Sequence, residues 1–327
     1  MKFDRKLKLT LNGLEVGTTP MLLPSVSSRT NLDIKKILEI MSGFVTGPIL
    51  TSAYDFYHHP KSKEFNLSFT DLIFLDSGGY ECNKEQDISD IGMYKPESKQ
   101  WNKELYSELI DKWSIDIPTV LISYDHPSER KPLDQQINDA NILFKHKSNF
   151  LKEILIKPEK KTQLRIKPEK IIKNIDSFKS FDIIGFTDKE LGYSILQRMT
   201  NLSKIRKAMD ECGIIKPIHI FGSLDPVTTP LYFIAGADIF DGLSWLRFMF
   251  DNGQTYYIDS YGPKTKGAHV NMQVIWGKTI SDNYDYLLRL KLDLKLFQSK
   301  NDWSIFGDNA NFFKKTYEDL IENLGGD

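Results

Sequence analysis

The sequence predicts an α/β fold with a parallel central sheet, and three observations support this. Short apolar runs rich in Ile, Leu, Val and Phe recur along the chain and stop abruptly at polar or glycine residues. Such continuous runs are typical of strands buried on both faces, as in a parallel sheet. Segments of helical period separate the runs, and the alternation extends over roughly 250 residues, the usual size of a (β/α) barrel.

The elements follow from these patterns in chain order. The predicted strands are residues 48–52, 72–75, 120–123, 182–184, 217–220 and 238–240. The helices predicted between them include residues 32–41, 101–113, 133–144 and 193–209. A doubly wound open sheet would share this alternation, but no GxGxxG motif follows the first strand. We therefore expect a (β/α)8 TIM-type barrel.

The whole chain, residues 1–327, is expected to form one barrel-type domain, with additional segments at both ends. The barrel core is expected at about 18–297, with a tail at 298–327. After Arg247 the barrel pattern fades into a hairpin-like or irregular segment, and a further helix is predicted at 284–297.

One segment differs from its surroundings in charge. Residues 145–173 carry ten Lys or Arg against three Glu and contain the sequence IKPEK twice. The segment is either a basic surface that contacts phosphates, with Lys157, Lys160 and Lys161 as candidates, or a solvated connection.

Composition limits the possible partners and location. Lys and Arg number 43 against 44 Asp and Glu, so the net charge of −1 excludes binding of nucleic acid through bulk positive charge. Cys82 and Cys212 are too few for a cysteine-rich zinc site and suit a reducing compartment. No signal peptide or membrane span is recognised, so a soluble cytoplasmic protein is expected.

Candidate functional residues follow the predicted strands. In a barrel, the residues just past the strand ends line one mouth, where the chemistry takes place. Polar or glycine residues expected there are Asp76, Asp125, Gly185, Gly222 and Asp241. A single aspartate at a strand end is usually a helix cap, but three at one mouth suggest a site.

The chemistry of these residues suggests glycosyl transfer. Two nearby carboxylates can divide the work between a nucleophile and a proton donor, as in retaining glycosidases. A third can accept hydrogen bonds from the N–H edge of a guanine, on which Tyr80 could stack. Two glycines after Asp76 let the backbone present N–H groups to a ligand. His126 and His219 lack the spacing of metal ligands, so no metal is expected.

Taken in order, the motifs resemble the tRNA-guanine transglycosylase (queuine tRNA-ribosyltransferase) superfamily. Residues 75–80, LDSGGY, match its DSGG(F/Y)Q signature, with Glu81 in place of the usual Gln. Residues 236–241, GADIFD, match its G-xD-xFD motif, and Arg247 follows at the family's spacing. Weaker matches are residues 7–24 with the N-terminal hairpin and first strand, and residues 47–54, 123–127, 184–186 and 220–222 with four strand ends.

The resemblance implies base exchange in a polynucleotide through a covalent intermediate. By motif, Asp241 resembles the nucleophile and Asp76 the acid/base. Asp125 would hold the edge of the guanine or of a free 7-deazaguanine, and Tyr80 would stack on it. Ser77, Gly78, Gly185 and Gly222 complete the expected base-binding set, and Arg247 is expected to contact the polynucleotide.

The chain also departs from the family pattern. The family's zinc site, three Cys and one His after the FD strand, has no counterpart because both cysteines precede Asp241. We therefore expect no zinc and no other cofactor. The strand with a base-contacting Gln is not recognisable, and Gln163 is no clear substitute for that residue. These departures favour a DNA-acting branch of the superfamily slightly over a tRNA-acting one.

The sequence is also compatible with two other functions. A hydrolytic nucleosidase or glycosidase would need the same carboxylates, with water resolving the intermediate. A non-catalytic binding subunit could keep the pocket, although it has no physical need for both Asp76 and Asp241. The sequence does not decide between these functions, nor whether the chain forms a homodimer or binds a partner protein.

Overall fold

Eight parallel strands form a closed barrel in the computed structural model, which describes residues 5–82, 99–126 and 128–325. The strands are β3 (Met21–Val26), β4 (Ile49–Ser52), β5 (Ile73–Asp76), β6 (Thr119–Ile122), β7 (Leu151–Ile156), β8 (Ile183–Thr187), β9 (Ile218–Phe221) and β10 (Ile239–Gly242). Around the barrel their order is β10-β3-β4-β5-β6-β7-β8-β9. The predicted (β/α)8 barrel is therefore confirmed.

Helices connect successive strands and cover the outside of the barrel. They are α1 (Ile34–Met41), α2 (Ala53–His58), α3 (Lys103–Asp111), α4 (Leu133–Phe144), α5 (Pro168–Lys173), α6 (Ile195–Glu211), α7 (Thr228–Ile234) and α8 (Ser244–Arg247). Asp33, Asn102 and Ser194 cap α1, α3 and α6 by accepting a hydrogen bond from a backbone N–H in the first turn. The cap residues explain why these helices begin within two residues of their predicted starts.

The N-terminal hairpin lies at the end of the barrel where the strands begin. Strands β1 (Lys8–Leu11) and β2 (Leu14–Thr18) pair antiparallel, as the resemblance implies. Leu9 is buried in one cluster with side chains of the barrel interior, including Met21, Leu72 and Ile239. The hairpin thus packs against the end of the barrel opposite to the mouth where the candidate residues lie.

The basic segment contains a barrel strand that the sequence did not reveal. Leu151–Ile156 is β7, which pairs with β6 and β8. The interpretation of a solvated connection was therefore wrong for this part of 145–173. Lys152 and Glu153 interrupt the apolar run, and Glu153 is nevertheless fully buried. The second IKPEK sequence begins α5, with Pro168 in its first turn.

The chain after Arg247 forms a hairpin followed by helices. Strands β11 (Phe248–Asp251) and β12 (Gln254–Tyr257) pair antiparallel, and the helices are α9 (Ile258–Lys266), α10 (Met272–Lys300) and α11 (Ala310–Asn323). The helix predicted at 284–297 is part of the longer α10. Buried Asn283 donates to the carbonyls of Trp245 and Phe248 and accepts from the Phe250 N–H, which ties α10 to the hairpin. No helix in the described ranges is long and apolar enough to cross a membrane.

Candidate active site

A cavity of about 250 Å³ opens at the end of the barrel where the strands terminate. Most of the predicted site residues meet there. The cavity is lined by Ser25, Ser27, Asp76, Gly79, Tyr80, Glu81, Asp125, Arg130, Lys157, Asp188, Lys189, Phe221, Gly222, Asp241 and Arg247, among others. This position agrees with the rule that the site of a barrel lies at the carboxyl ends of its strands.

The turn after β5 positions two of the carboxylates. Gly78 has a φ of +89° and donates its N–H to Asp76 Oδ2 at 3.0 Å. Ser77 is fully buried and donates its hydroxyl to Asp125 Oδ1 at 2.9 Å. Gly79 lies against the same carboxylate, since a Cβ at this position would be 2.4 Å from Asp125 Oδ1. The DSGG turn therefore fixes Asp76 directly and Asp125 through Ser77. Pro127, at the end of the Asp125 motif, lies outside the described residues.

Asp241 is held by three groups at the end of β10. Ser25 donates its hydroxyl to Oδ2 at 2.8 Å, and the Gly222 N–H donates to Oδ1 at 3.1 Å. His219 Nε2 lies 3.3 Å from Oδ1. The carboxylate is 6% exposed and still lines the cavity. Asp241 is therefore fixed in orientation while it faces the space where a ligand would bind.

Two buried residues next to Asp241, Glu153 and His219, were not predicted as functional from the sequence. Glu153 Oε1 on β7 lies 2.8 Å from His219 Nδ1 on β9, and both side chains are fully buried. The His219 ring thus lies between the Glu153 carboxylate and the Asp241 carboxylate. The sequence carries a signal for both residues, because each is a polar residue within a short, mainly apolar run. The run is LKEILI for Glu153 and IHIF for His219.

Two carboxyl groups that line the cavity, Asp76 and Glu81, have raised pKa values. Burial, together with the charges of Glu81 and Asp125, raises the pKa of Asp76 well above its ordinary value. Burial and the charge of Asp55 raise the pKa of Glu81 to about 7. Glu81 accepts hydrogen bonds from the hydroxyls of Ser27 and Ser52. The site therefore contains a carboxyl group, Asp76, that keeps its proton to higher pH than an ordinary aspartate.

Basic residues also line the cavity. Lys157 Nζ lies 2.9 Å from Glu190 Oε2 and 3.9 Å from Asp125 Oδ2. Arg130 pairs with the same Glu190 at 3.4 Å. Arg247 also lines the cavity and donates to the backbone carbonyl of Arg29 at 3.3 Å. Lys160 and Lys161 are exposed in the turn after β7 and do not line the cavity.

The remaining candidates are placed differently. Tyr80 lines the cavity, and the Arg29 guanidinium lies 4.8 Å from its ring centroid. Gly185 lies on β8 below the cavity, where a Cβ would be 2.6 Å from the Phe221 ring and 2.7 Å from Glu153 Oε1. It does not line the cavity. Its close packing against Glu153 gives a reason for glycine that is independent of any ligand.

The residues present do not fit the family's zinc site. After Asp241 the sequence has no cysteine, and its one histidine there is His269. Within residues 5–82, 99–126 and 128–325, no group of three or more His, Cys, Asp or Glu side chains is arranged to hold a metal ion. Cys82 is buried, with its thiol 3.5 Å from the Gly79 carbonyl, and Cys212 is exposed.

Comparison with known proteins adds an independent observation. No family model matches the chain. The tRNA-guanine(15) transglycosylase of Nanoarchaeum equitans (strain Kin4-M) is 26% identical to it over 256 residues, which is 74% of this chain. The match spans 56% of that relative, about half of its length. Together with the ordered motifs and the barrel, this weak similarity supports the resemblance of the chain to the tRNA-guanine transglycosylase superfamily.

Proposed function

We propose that the protein exchanges guanine for a 7-deazaguanine in a polynucleotide, through a covalent bond between the sugar and Asp241. The observation that carries this proposal is the cavity shared by Asp76, Asp125 and Asp241 at the carboxyl ends of three barrel strands. One carboxylate is held as an acceptor of hydrogen bonds, and another has a raised pKa. This is the division of roles that a retaining glycosyl transfer requires.

In the first step, the Asp241 carboxylate attacks C1′ of the guanosine. The C1′–N9 bond breaks, and its electron pair leaves with the guanine. Hydrogen bonds from Ser25 and Gly222 hold the carboxylate in one orientation, so little reorganisation is needed before attack. The product of this step is a glycosyl ester of Asp241.

Asp76 is proposed as the acid and the base. Because its pKa is raised, it keeps its proton to higher pH than an ordinary aspartate, and it gives this proton to the departing guanine. The resulting carboxylate then takes the proton from N9 of the incoming 7-deazaguanine, whose nitrogen attacks C1′ and releases Asp241. The proton is therefore returned to Asp76, and the step consumes no other reactant.

The base is proposed to lie between Asp125 and Tyr80. Asp125 accepts from Ser77 and is held close to Gly79, so its carboxylate is oriented for the N–H edge of a guanine. Tyr80 offers an aromatic face in the same cavity. Gly222 lines this space. Gly78, which packs against Tyr54 and Trp101, and Gly185, which lies below the cavity, do not line it.

The polynucleotide is proposed to enter over the rim that holds Arg247. The exposed Lys160 and Lys161, in the turn after β7, are proposed as further phosphate contacts. The target nucleotide must leave the stack to reach the cavity, which costs a few kcal/mol on a duplex. The relative's name refers to tRNA. The lack of a zinc site leads us to prefer DNA slightly for this chain.

The proposal is tested by incorporation of labelled guanine, preQ0 or preQ1 into tRNA and into duplex DNA in parallel reactions. We expect label to enter one of the two, and Asp241→Asn to abolish incorporation while guanine still binds. Asp176→Asn, which makes the same change at an exposed aspartate, serves as the control and should keep full activity.

The other outcomes discriminate between the alternative functions. Release of free guanine without incorporation would indicate a hydrolase on the same site. Neither incorporation nor release, with guanine bound in the cavity, would indicate a binding subunit. Incorporation that persists in Asp241→Asn would contradict the proposed role of Asp241.

A further inference from the structure

A buried chain of charged groups runs from β7 through β9 to β10. Glu153 Oε1 lies 2.8 Å from His219 Nδ1, and His219 Nε2 lies 3.3 Å from Asp241 Oδ1. The second contact is longer than the first and is electrostatic in character. The other oxygen of Glu153, Oε2, has no hydrogen-bond partner among the described residues. The negative charge of Glu153 is therefore balanced mainly by His219.

The surroundings of His219 favour its charged form. Carboxylates face both ring nitrogens, so a neutral ring would direct one unprotonated nitrogen at a carboxylate. The other neighbours are apolar: Phe221 stacks on the ring at 4.0 Å between centroids, and Phe74 contacts it edge-on at 5.7 Å. Burial alone lowers the pKa of His219, but the charges of Glu153 and Asp241 outweigh this and raise it to about 9.

We propose that Glu153 and His219 are positioning residues that hold Asp241 in orientation and place a positive charge beside its carboxylate. The inference rests on the proposed function of Asp241 as nucleophile. The positive charge on His219, 3.3 Å from Asp241 Oδ1, would stabilise the negative charge that develops on this carboxylate when the glycosyl ester breaks. Glu153 contributes by holding the proton on His219. Neither residue lines the cavity, so neither is proposed to touch the substrate.

The decisive variant is Glu153→Gln, which keeps the size of the side chain and an oxygen acceptor for His219 but removes the charge. Glu169→Gln makes the same change at an exposed position on α5 and is the matched control. The titration of His219 is followed by NMR of labelled imidazole nitrogens in the wild type and both variants. We expect His219 to be charged at pH 7 in the wild type and in Glu169→Gln. In Glu153→Gln its pKa should fall by at least about one unit.

Kinetics provide a second readout that a purely structural role would not change. We expect kcat/KM for base exchange to fall on the alkaline side as His219 loses its proton, and this limb should move to lower pH in Glu153→Gln. At pH 9 the kcat of Glu153→Gln should be lower than that of the wild type by about fivefold or more, with little change in KM for the free base. An unchanged pH profile in an active Glu153→Gln protein would overturn the inference.

The two proposals fail in different ways. A wild-type protein without exchange activity contradicts the proposed function, whereas the NMR titration still decides the inference about charge. A neutral His219 at pH 7 in the wild type overturns the inference, even if exchange occurs. The wild-type titration does not depend on any variant, so the inference is tested even if Glu153→Gln fails to fold.

Discussion

The ammonium group of Lys157 lies 2.9 Å from a carboxylate oxygen of Glu190 inside the mouth of the barrel. The Lys157 side chain is 10% exposed and also donates to Thr187 Oγ1 at 2.8 Å. Lys160 and Lys161, only three and four residues later, are exposed. The structure thus separates lysines that the sequence groups together. One belongs to an interior ion pair, and two are free to meet a phosphate backbone.

Charge reversal at Lys160 and Lys161 should weaken polynucleotide binding. Each lost phosphate contact removes counterion release, so the plot of log K against log salt should become shallower by roughly 1 to 2. Fluorescence anisotropy with labelled DNA and tRNA at several salt concentrations measures both effects. The adjacent exposed pair Lys314 and Lys315 on α11, reversed in the same way, is the control. Equal weakening by both double variants would show only a general effect of net charge.

Lys157→Met should act on stability instead. Glu190 would keep Arg130 as its remaining basic partner, at 3.4 Å. We expect the free energy of unfolding to fall by about 1–3 kcal/mol because a buried carboxylate loses a charged partner. The salt dependence of polynucleotide binding should change little. A shallower slope without loss of stability would instead assign Lys157 to the phosphate backbone.

Gly79→Ala should impair base binding without unfolding the protein. The added Cβ would lie 2.4 Å from Asp125 Oδ1, so the carboxylate must move away from the position that Ser77 holds. We expect the Kd for guanine, measured by calorimetry, to rise by about tenfold or more. Gly277→Ala is the matched control, because its Cβ meets nothing within 4 Å. Unchanged affinity in Gly79→Ala would show that Asp125 does not bind the base.

The stability of the protein should depend on the protonation of Glu81. The pKa of this carboxyl group is raised from 4.5 to about 7 by burial and by Asp55, so the folded state binds its proton more tightly than the unfolded state. The favourable contribution is complete below pH 4.5 and is lost as the pH rises through about 7. Stability should therefore fall between pH 5 and pH 8.

Glu81→Gln, which restores the residue usual in the family signature, should reduce this fall. We expect the loss of unfolding free energy between those pH values to be smaller by roughly 1–3 kcal/mol, as measured by urea denaturation. Asp55 has a pKa raised to about 6 by its burial and keeps part of the dependence. Equal pH dependence in the wild type and in Glu81→Gln would contradict the assignment.

Tyr80→Ala should weaken binding of the free base, whereas Tyr80→Phe should not. Stacking of a base on an aromatic ring is worth about 1–3 kcal/mol, which corresponds to an increase in KM of roughly fivefold to 150-fold. The Arg29 guanidinium on this ring depends on the aromatic face, which Phe retains. Steady-state kinetics with varied base concentration measure the effect. Similar losses in both variants would assign the role to the hydroxyl group.

Much of the fold could be predicted from the sequence. The runs at 48–52, 72–75 and 217–220 are mainly apolar and lack a polar face, as expected of strands covered on both sides. Each appears as a barrel strand. The Asp76 and Asp241 motifs could be recognised because their glycines and carboxylates are adjacent in the chain. Local geometry then places both at strand ends, and their catalytic roles stay predictions.

The long-range relationships were decided only by the tertiary structure. Glu153 and His219 are separated by 66 positions, and neither has a local partner that marks it. Their pairing depends on the order of strands in the sheet, in which β7 and β9 lie on the two sides of β8 and its Gly185. Likewise, nothing near Lys157 in the sequence shows that Glu190 neutralises it.

The sequence by itself thus determined the alternation of strands and helices and the groups at the strand ends, because hydrophobic period and turn chemistry are local properties. The tertiary structure decided which charges are buried together and what each carboxylate faces. The physical reason is that pKa and ion pairing depend on burial and on distances of a few ångströms between residues far apart in the chain.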